Sequence, residues 1–248
     1  MPKNIGLSLI GAFLLGLAWF NPNLSWLILI AFVPLLLAEK QLSHPSKNIE
    51  NAQWLLLSGL FALVSTGLIF YQNQQLELIS WLSYSAGLTL ALMLFKFTKD
   101  TLGKQRGYIS LPFFWLSAEA LHYYYSLGAE PLPLGQAFTE NTLVGHWLPQ
   151  IGYLGMSLWA LVCTLVFYFL VSDFLSKKEW RQLLIQGGLA LGLFVVLPIF
   201  LGPTPQEPST PQDLNNADQF IARLSFFLAG FQVLFSLVKS YLDKNKVV

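Results

Sequence analysis

Long apolar runs, broken by short polar segments, make up most of the chain. A helix needs about 20 apolar residues to cross a hydrocarbon core of about 30 Å. Eight runs approach or reach that length: Ile5–Phe20, Leu24–Ala38, Trp54–Tyr71, Ile79–Phe95, Tyr108–Tyr125, Ile151–Val171, Leu183–Leu201 and Phe220–Tyr241. The pattern predicts an all-α, polytopic integral membrane protein with eight transmembrane helices. The first two runs are short, and Asn21-Pro22-Asn23 between them is a strong breaker, so they are expected to form a helical hairpin. The first run has only Lys3 before it and no small-x-small cleavage site before Asn21, so it reads as a retained span, not a signal peptide. No fixed-period repeat or sustained heptad is visible. The stretch Gly202–Gln212 is rich in Pro and is expected to be an extended linker without a core of its own. The predicted organisation is a seven-helix bundle over 1–201, a Pro-rich outer loop over 202–219, and an eighth helix with its tail over 220–248.

Composition agrees with lipid as the solvent. Of the 248 residues 54% are hydrophobic and only 11% charged, and the mean hydropathy is +0.55. A soluble domain carries about 25% charged residues to cover its surface. Eight Trp suit a chain anchored at bilayer interfaces. A net charge of +1 argues against a nucleic-acid partner. The single cysteine, Cys163, excludes an intrachain disulfide and any Cys-based metal cluster.

Charge then orients the spans. Thirteen of the fourteen Lys and Arg residues fall at the N-terminus, in the 39–53, 96–107 and 172–182 loops, or at the C-terminus. The 21–23, 72–78, 126–150 and 202–219 segments contain none. Arg223, the remaining one, lies one turn inside the last helix and can snorkel outward. By the positive-inside rule both termini are expected to be cytoplasmic.

Few residues suggest chemistry. Glu119 is the one acid the runs place deep in a span, and His122 follows at i+3 on the same helix face. Ionisable groups in a membrane are costly unless they face the bundle interior or water. The pair can bind a headgroup, relay a proton or ligate a metal. It can equally be a polar clasp in which Glu119 accepts from a hydroxyl, amide or indole. A lone Glu-x-x-His is no di-iron site, which needs further carboxylates on other helices. The 126–150 loop is apolar for a segment in water, so it is expected at headgroup level or folded back into the bundle. Glu130, Gln136, Glu140 and His146 are its polar handles, and Trp147 is expected at the interface. Mid-helix burial of Cys163 makes it inert. No Gly-x-Ser-x-Gly, Walker A or His-Glu-x-x-His motif occurs. No catalytic residue, metal or cofactor is therefore assigned.

Four segments resemble bacterial apolipoprotein N-acyltransferases. Phe20-Asn-Pro-Asn-Leu-Ser-Trp-Leu is similar to that family's first hairpin. Leu111-Pro-Phe-Phe-Trp-Leu-Ser-Ala-Glu-Ala-Leu-His resembles its Pro-x-x-Trp-x-x-x-Glu-x-Leu-Arg segment. Leu134-Gly-Gln-Ala-Phe and Leu148-Pro-Gln-Ile-Gly-Tyr-Leu-Gly-Met-Ser-Leu resemble the stretches that follow. Their order and spacing agree over residues 5–201. The resemblance implies eight spans and an inner-membrane location. It also implies a periplasmic nitrilase-like domain between the seventh and eighth spans, whose Glu–Lys–Cys triad moves an acyl chain from phospholipid to the N-terminal Cys of a lipoprotein. Here only the Pro-rich 202–219 segment stands at that point, so the catalytic domain is missing. The family's Arg is His122 in this chain. Only Trp115 and Glu119 match, with a structural or lipid-facing role.

Three functions remain open at this level. The first is a membrane scaffold or a lipid- or lipoprotein-binding subunit without acyl-transfer chemistry. The second is the membrane half of a split N-acyltransferase whose nitrilase-like domain is a separate periplasmic or membrane protein. The third is a stand-alone membrane enzyme or transporter using Glu119 and His122. Phospholipid is the expected partner, and Trp115, Glu119, His122, Gln136, Glu140, His146 and Trp147 are the expected contacts.

Overall fold

The structure is a computed structural model. It describes residues 1–42, 46–72, 78–103, 107–125, 132–141, 143–175, 188, 192 and 211–245. Among them no strand occurs. The long helices are α1 (Pro2–Leu17), α2 (Ile28–Gln41), α3 (Lys47–Gln72), α4 (Leu78–Leu102), α5 (Ser110–Tyr125), α6 (Leu148–Leu175) and α7 (Pro211–Asn245). Short 3₁₀ turns stand at Pro22–Leu27, Leu134–Phe138 and Gly145–Trp147. Five stretches are long and apolar enough to cross a membrane: Pro22–Gln41, Lys47–Tyr71, Leu78–Leu102, Leu148–Leu175 and Ala217–Ser240. Of the predicted span Leu183–Leu201 only residues 188 and 192 are among the described residues. Helices α1 and α5 have 16 residues each, so each reaches only about 24 Å at 1.5 Å per residue.

The predicted hairpin forms at its predicted breaker. Asn21 is extended, and its side-chain oxygen accepts from the backbone N–H of Asn23 at 2.8 Å. Pro22 follows at the first helical position, where its missing N–H costs nothing. Helix α1 packs on α2 and α3, α3 on α4, α4 on α5 and α7, and α6 on α2, α5 and α7. Helix α5 thus packs on α4, α6 and α7 and leaves Leu121 exposed. Its Trp115 is 1% exposed and meets the Phe32 ring of α2 edge-on, with centroids 4.7 Å apart. Phe61 of α3 approaches the same indole at 6.4 Å. These T-shaped contacts set positive ring edges on negative faces, and they fix α5 against α2 and α3.

Helix α6 is broken near its start. Gly152 adopts φ 72° and ψ 174°, a region open in practice to glycine alone. The helix restarting after it would expose N–H groups without intrahelical partners. Asp218 of α7 accepts the Leu154 N–H at 2.8 Å, and a carboxylate there also complements the helix dipole. A Cβ on residue 152 would overlap the Asp218 carboxylate.

Two sequence expectations are corrected. The last helix begins at Pro211, not Phe220, so 211–219 is helical and not extended linker. Lys96 and Lys99 lie within α4 and not in a loop, and both are buried.

Gly152→Ala is expected to lower stability by about 1–3 kcal/mol, the cost of holding a side chain in that backbone region. The melting temperature of the detergent-solubilised protein should fall. An unchanged value would contradict the kink as described.

Candidate functional site

Trp115, Glu119 and His122 share one face of α5, as their spacing requires. The Trp115 Nε1–H donates to Glu119 Oε1 at 2.7 Å. The backbone N–H of Leu134 donates to the same oxygen at 2.9 Å. Glu119 is 1% exposed, and its second oxygen makes no hydrogen bond. His122 is half-buried, and its ring lies 4.6 Å from that of Tyr84 on α4.

The Leu134 contact belongs to a segment that folds back into the bundle at the C-terminal end of α5. Leu132, Leu134, Gly135 and Phe138 are all buried. The Tyr84 hydroxyl donates to the Leu132 carbonyl at 3.1 Å. The Gly135 N–H donates to Ser157 Oγ at 2.8 Å. A side chain at Gly135 would run into the Tyr153 carbonyl and the Met156 Cβ, so the close approach requires glycine. Asn141 Nδ2 donates to the Pro22 carbonyl at 3.2 Å and to Ser25 Oγ at 3.0 Å. Asn141 Oδ1 accepts from the N–H groups of Leu143 and Val144. The segment is thereby tied to α4, α5, α6 and the hairpin turn. Backbone away from regular structure is tolerated inside a bundle only with such partners.

The remaining expected residues are spread around this segment. Gln136 is half-buried in the 3₁₀ turn, Glu140 is exposed, and the backbone of His146 lies in the Gly145–Trp147 turn. Nothing brings Glu140 to Glu119. Trp147 is 4% exposed. It packs edge-on against Trp159 at 5.4 Å, in a cluster with Trp26 and Phe138, and does not stand at an exposed surface. Glu130 lies outside the described residues.

Sequence reasoning missed two features. Asp218 is 1% exposed and holds the start of the α6 body, with one oxygen unpaired. Its signal was an acid at the mouth of an apolar run. The second is an ionic network at the opposite end. Lys96 Nζ lies 2.6 Å from Glu50, 2.7 Å from Asp100 and 3.4 Å from Glu39. Lys99 pairs with Glu39, and Lys47 stands 3.3 Å from Glu50. The Tyr108 hydroxyl donates to Glu39 at 3.3 Å and is 2.6 Å from the Tyr168 hydroxyl. All of these groups except Tyr168 line a cavity of about 310 Å³. The i,i+3 pair Lys47/Glu50 and the i,i+4 pair Lys96/Asp100 were its sequence signal.

Among the described residues no group of three or more His, Cys, Asp or Glu side chains is placed to hold a metal. Cys163 is wholly buried in α6.

A family model described as the apolipoprotein N-acyltransferase N-terminal domain matches residues 11–166. No curated protein and no solved structure matches the chain. The matched stretch runs from α1 into α6, and so takes in the hairpin, the Glu119 helix and the segment folded against it. The chain belongs to the apolipoprotein N-acyltransferase N-terminal domain family.

Proposed function

We propose that this chain is a lipid- and lipoprotein-binding membrane subunit, similar to the membrane domain of an apolipoprotein N-acyltransferase and without acyl-transfer chemistry of its own. In this reading it crosses a bacterial inner membrane eight times with both termini cytoplasmic. The end of α5 then faces the periplasm, and the ionic network faces the cytoplasm. The observation that carries the reading is the pairing of family membership over residues 11–166 with the setting of the only cysteine. Acyl transfer through a thioester needs a thiolate beside an activating base. Cys163 is 0% exposed and lies mid-helix. The helix that begins at Pro211 leaves only residues 202–210 after the seventh predicted span, no room for the catalytic domain that the resemblance implies there. A cleft of about 530 Å³ between α3 and α4, lined mostly by apolar side chains such as Leu55, Leu63, Leu82 and Leu90, suits an acyl chain.

Membership itself favours one second reading, the membrane half of a split N-acyltransferase. The two readings differ in what a separate nitrilase-like chain would add.

Two outcomes are expected. In a Cys163→Ala background, single cysteines at Lys47, Lys104 and Lys178 should be protected from an impermeant thiol reagent, while those at Gln75, Glu140 and Pro208 should label. Labelling at Lys104 from outside would contradict the topology. Purified chain incubated with phospholipid and a diacylated lipoprotein peptide should retain both and give no N-acylated product. Product formed by the chain alone would overturn the proposal, and product formed only with a separate nitrilase-like chain would favour the split enzyme.

A further inference from the structure

The cavity of about 310 Å³ at the lysine end of the bundle is lined by charged side chains of α2, α3 and α4. Small-molecule sites begin at about 300 Å³. The charges converge on shared oxygens. Lys96 and Lys99 both approach Glu39 Oε1. Lys96 and Lys47 both approach the Glu50 carboxylate, at 2.6 and 3.3 Å, and Asp100 Oδ2, at 2.7 and 4.0 Å. Lys96, Lys99 and Glu39 are each more than nine-tenths buried, so the cavity has a built floor and is not a patch of surface lysines. Lys40 and Lys47 are exposed and mark its mouth.

In this cavity the acceptors are engaged and the donors are in surplus. All six carboxylate oxygens already accept: Glu39 from Lys99 and Tyr108, Glu50 from Lys96 and Lys47, and Asp100 from Lys96 at both oxygens. Lys40 lines the same cavity and brings the lining to four lysines against three acids, a net charge of +1. Its Nζ donates to the neutral Ser172 hydroxyl at 2.7 Å. Among the described residues no acid lies within ion-pair distance of it. An ammonium carries three N–H donors. Among the described residues Lys40, Lys47 and Lys99 each use one of them in a hydrogen bond.

We propose that this cavity binds a phosphodiester group with one negative charge. One such group balances the charge of the lining, and its oxygens accept from donors placed around it. Lysine serves phosphate as a point charge, whereas a planar carboxylate is best met by the arginine fork, and no arginine lines the cavity. A ligand that brings its own cation finds no unengaged carboxylate oxygen. The phosphodiester can belong to an anionic lipid headgroup or to a soluble ester. The site is separate from the apolar cleft of Leu55 and Leu90 and goes beyond the reading given above.

The test uses the full chain in micelles of an uncharged detergent, loaded with equal amounts of phosphatidylglycerol and phosphatidylcholine of identical acyl chains. Retained lipid is read by native mass spectrometry. Glycerophosphoglycerol, the same headgroup without acyl chains, is added to lipid-free chain in a parallel sample. Phosphatidylglycerol should be retained at least about tenfold over phosphatidylcholine, the scale of one hydrogen bond to a charged group. Lys40→Gln keeps a donor for Ser172, removes the surplus charge and should reduce the preference to about twofold or less. Lys47→Gln should weaken it as well, and it decides the matter if the Lys40 variant does not fold. Lys3→Gln removes an exposed lysine outside the cavity and should leave the preference unchanged. Preference for phosphatidylglycerol without binding of glycerophosphoglycerol would support the site with a lipid as the source. Binding of glycerophosphoglycerol that Lys40→Gln abolishes would support it with a soluble ester as a competent source, even if neither lipid is retained, a result that would tell against the lipid-binding reading alone. Equal retention of both lipids without binding of glycerophosphoglycerol would overturn the site and leave lipid binding intact. A preference that survives both Lys40→Gln and Lys47→Gln would overturn it, and so would one that Lys3→Gln reduces as much as Lys40→Gln does. Retention of neither lipid and no binding of glycerophosphoglycerol would overturn the site and the lipid-binding reading together.

Discussion

Inside an apolar bundle no water meets a stray backbone N–H, so any chain that leaves helical geometry there must bring its own acceptors. This constraint organises the C-terminal end of α5. Glu119 accepts the Leu134 N–H, Asp218 the Leu154 N–H, and Ser157 Oγ the Gly135 N–H. Tyr84 supplies the donor that the Leu132 carbonyl needs. Without these groups neither the turn at Leu134–Phe138 nor the break at Gly152 is affordable. The clasp, one expectation for Glu119, and the folded-back path, one expectation for the 126–150 loop, meet at the Leu134 N–H.

The two ends of the bundle satisfy their buried charges in different ways. At one end Lys47, Lys96 and Lys99 meet Glu39, Glu50 and Asp100, three cations with three acids. Its buried part contributes little net stability against an apolar equivalent, but removing a buried member such as Glu39 or Lys99 costs about 3–5 kcal/mol because it strands a charge. It therefore fixes how α2, α3 and α4 meet. At the other end Glu119 and Asp218 are held by neutral donors: the Trp115 indole N–H and the Leu134 N–H on one, the Leu154 N–H on the other.

Much of this was legible in the residues. Asn21-Pro22-Asn23 stated its own turn chemistry, and the i−4 and i+3 spacings put Trp115 and His122 on the Glu119 face. The motifs of the hairpin, of α5 and of the entry to α6 carried the family. What was hidden depended on tertiary contact. Lys96 and Lys99 end an apolar run and read as loop, because their partner Glu39 lies sixty residues from Lys99. Asp218 sits among Pro, Gln and Asn, and its task shows only once α7 lies against Gly152. Residues 211–219 read as linker from composition, whereas Pro at the first helical position is compatible with a helix. Trp147 carried the usual mark of a membrane interface, and its packing on Trp159, whose ring in turn meets Trp26, shows only in the fold.

The claim on which the account turns is that the Glu119 carboxylate holds the 132–147 segment inside the bundle. Hydrogen–deuterium exchange of the detergent-solubilised protein tests it directly, comparing the unaltered chain with Glu119→Ala. The Leu134 amide and its neighbours should lose protection by about tenfold or more, as expected when a charge-assisted hydrogen bond of about 1.5–3 kcal/mol is removed. The amides of α2 and α3 should keep theirs. Unchanged protection across 132–147 in the variant would contradict the claim.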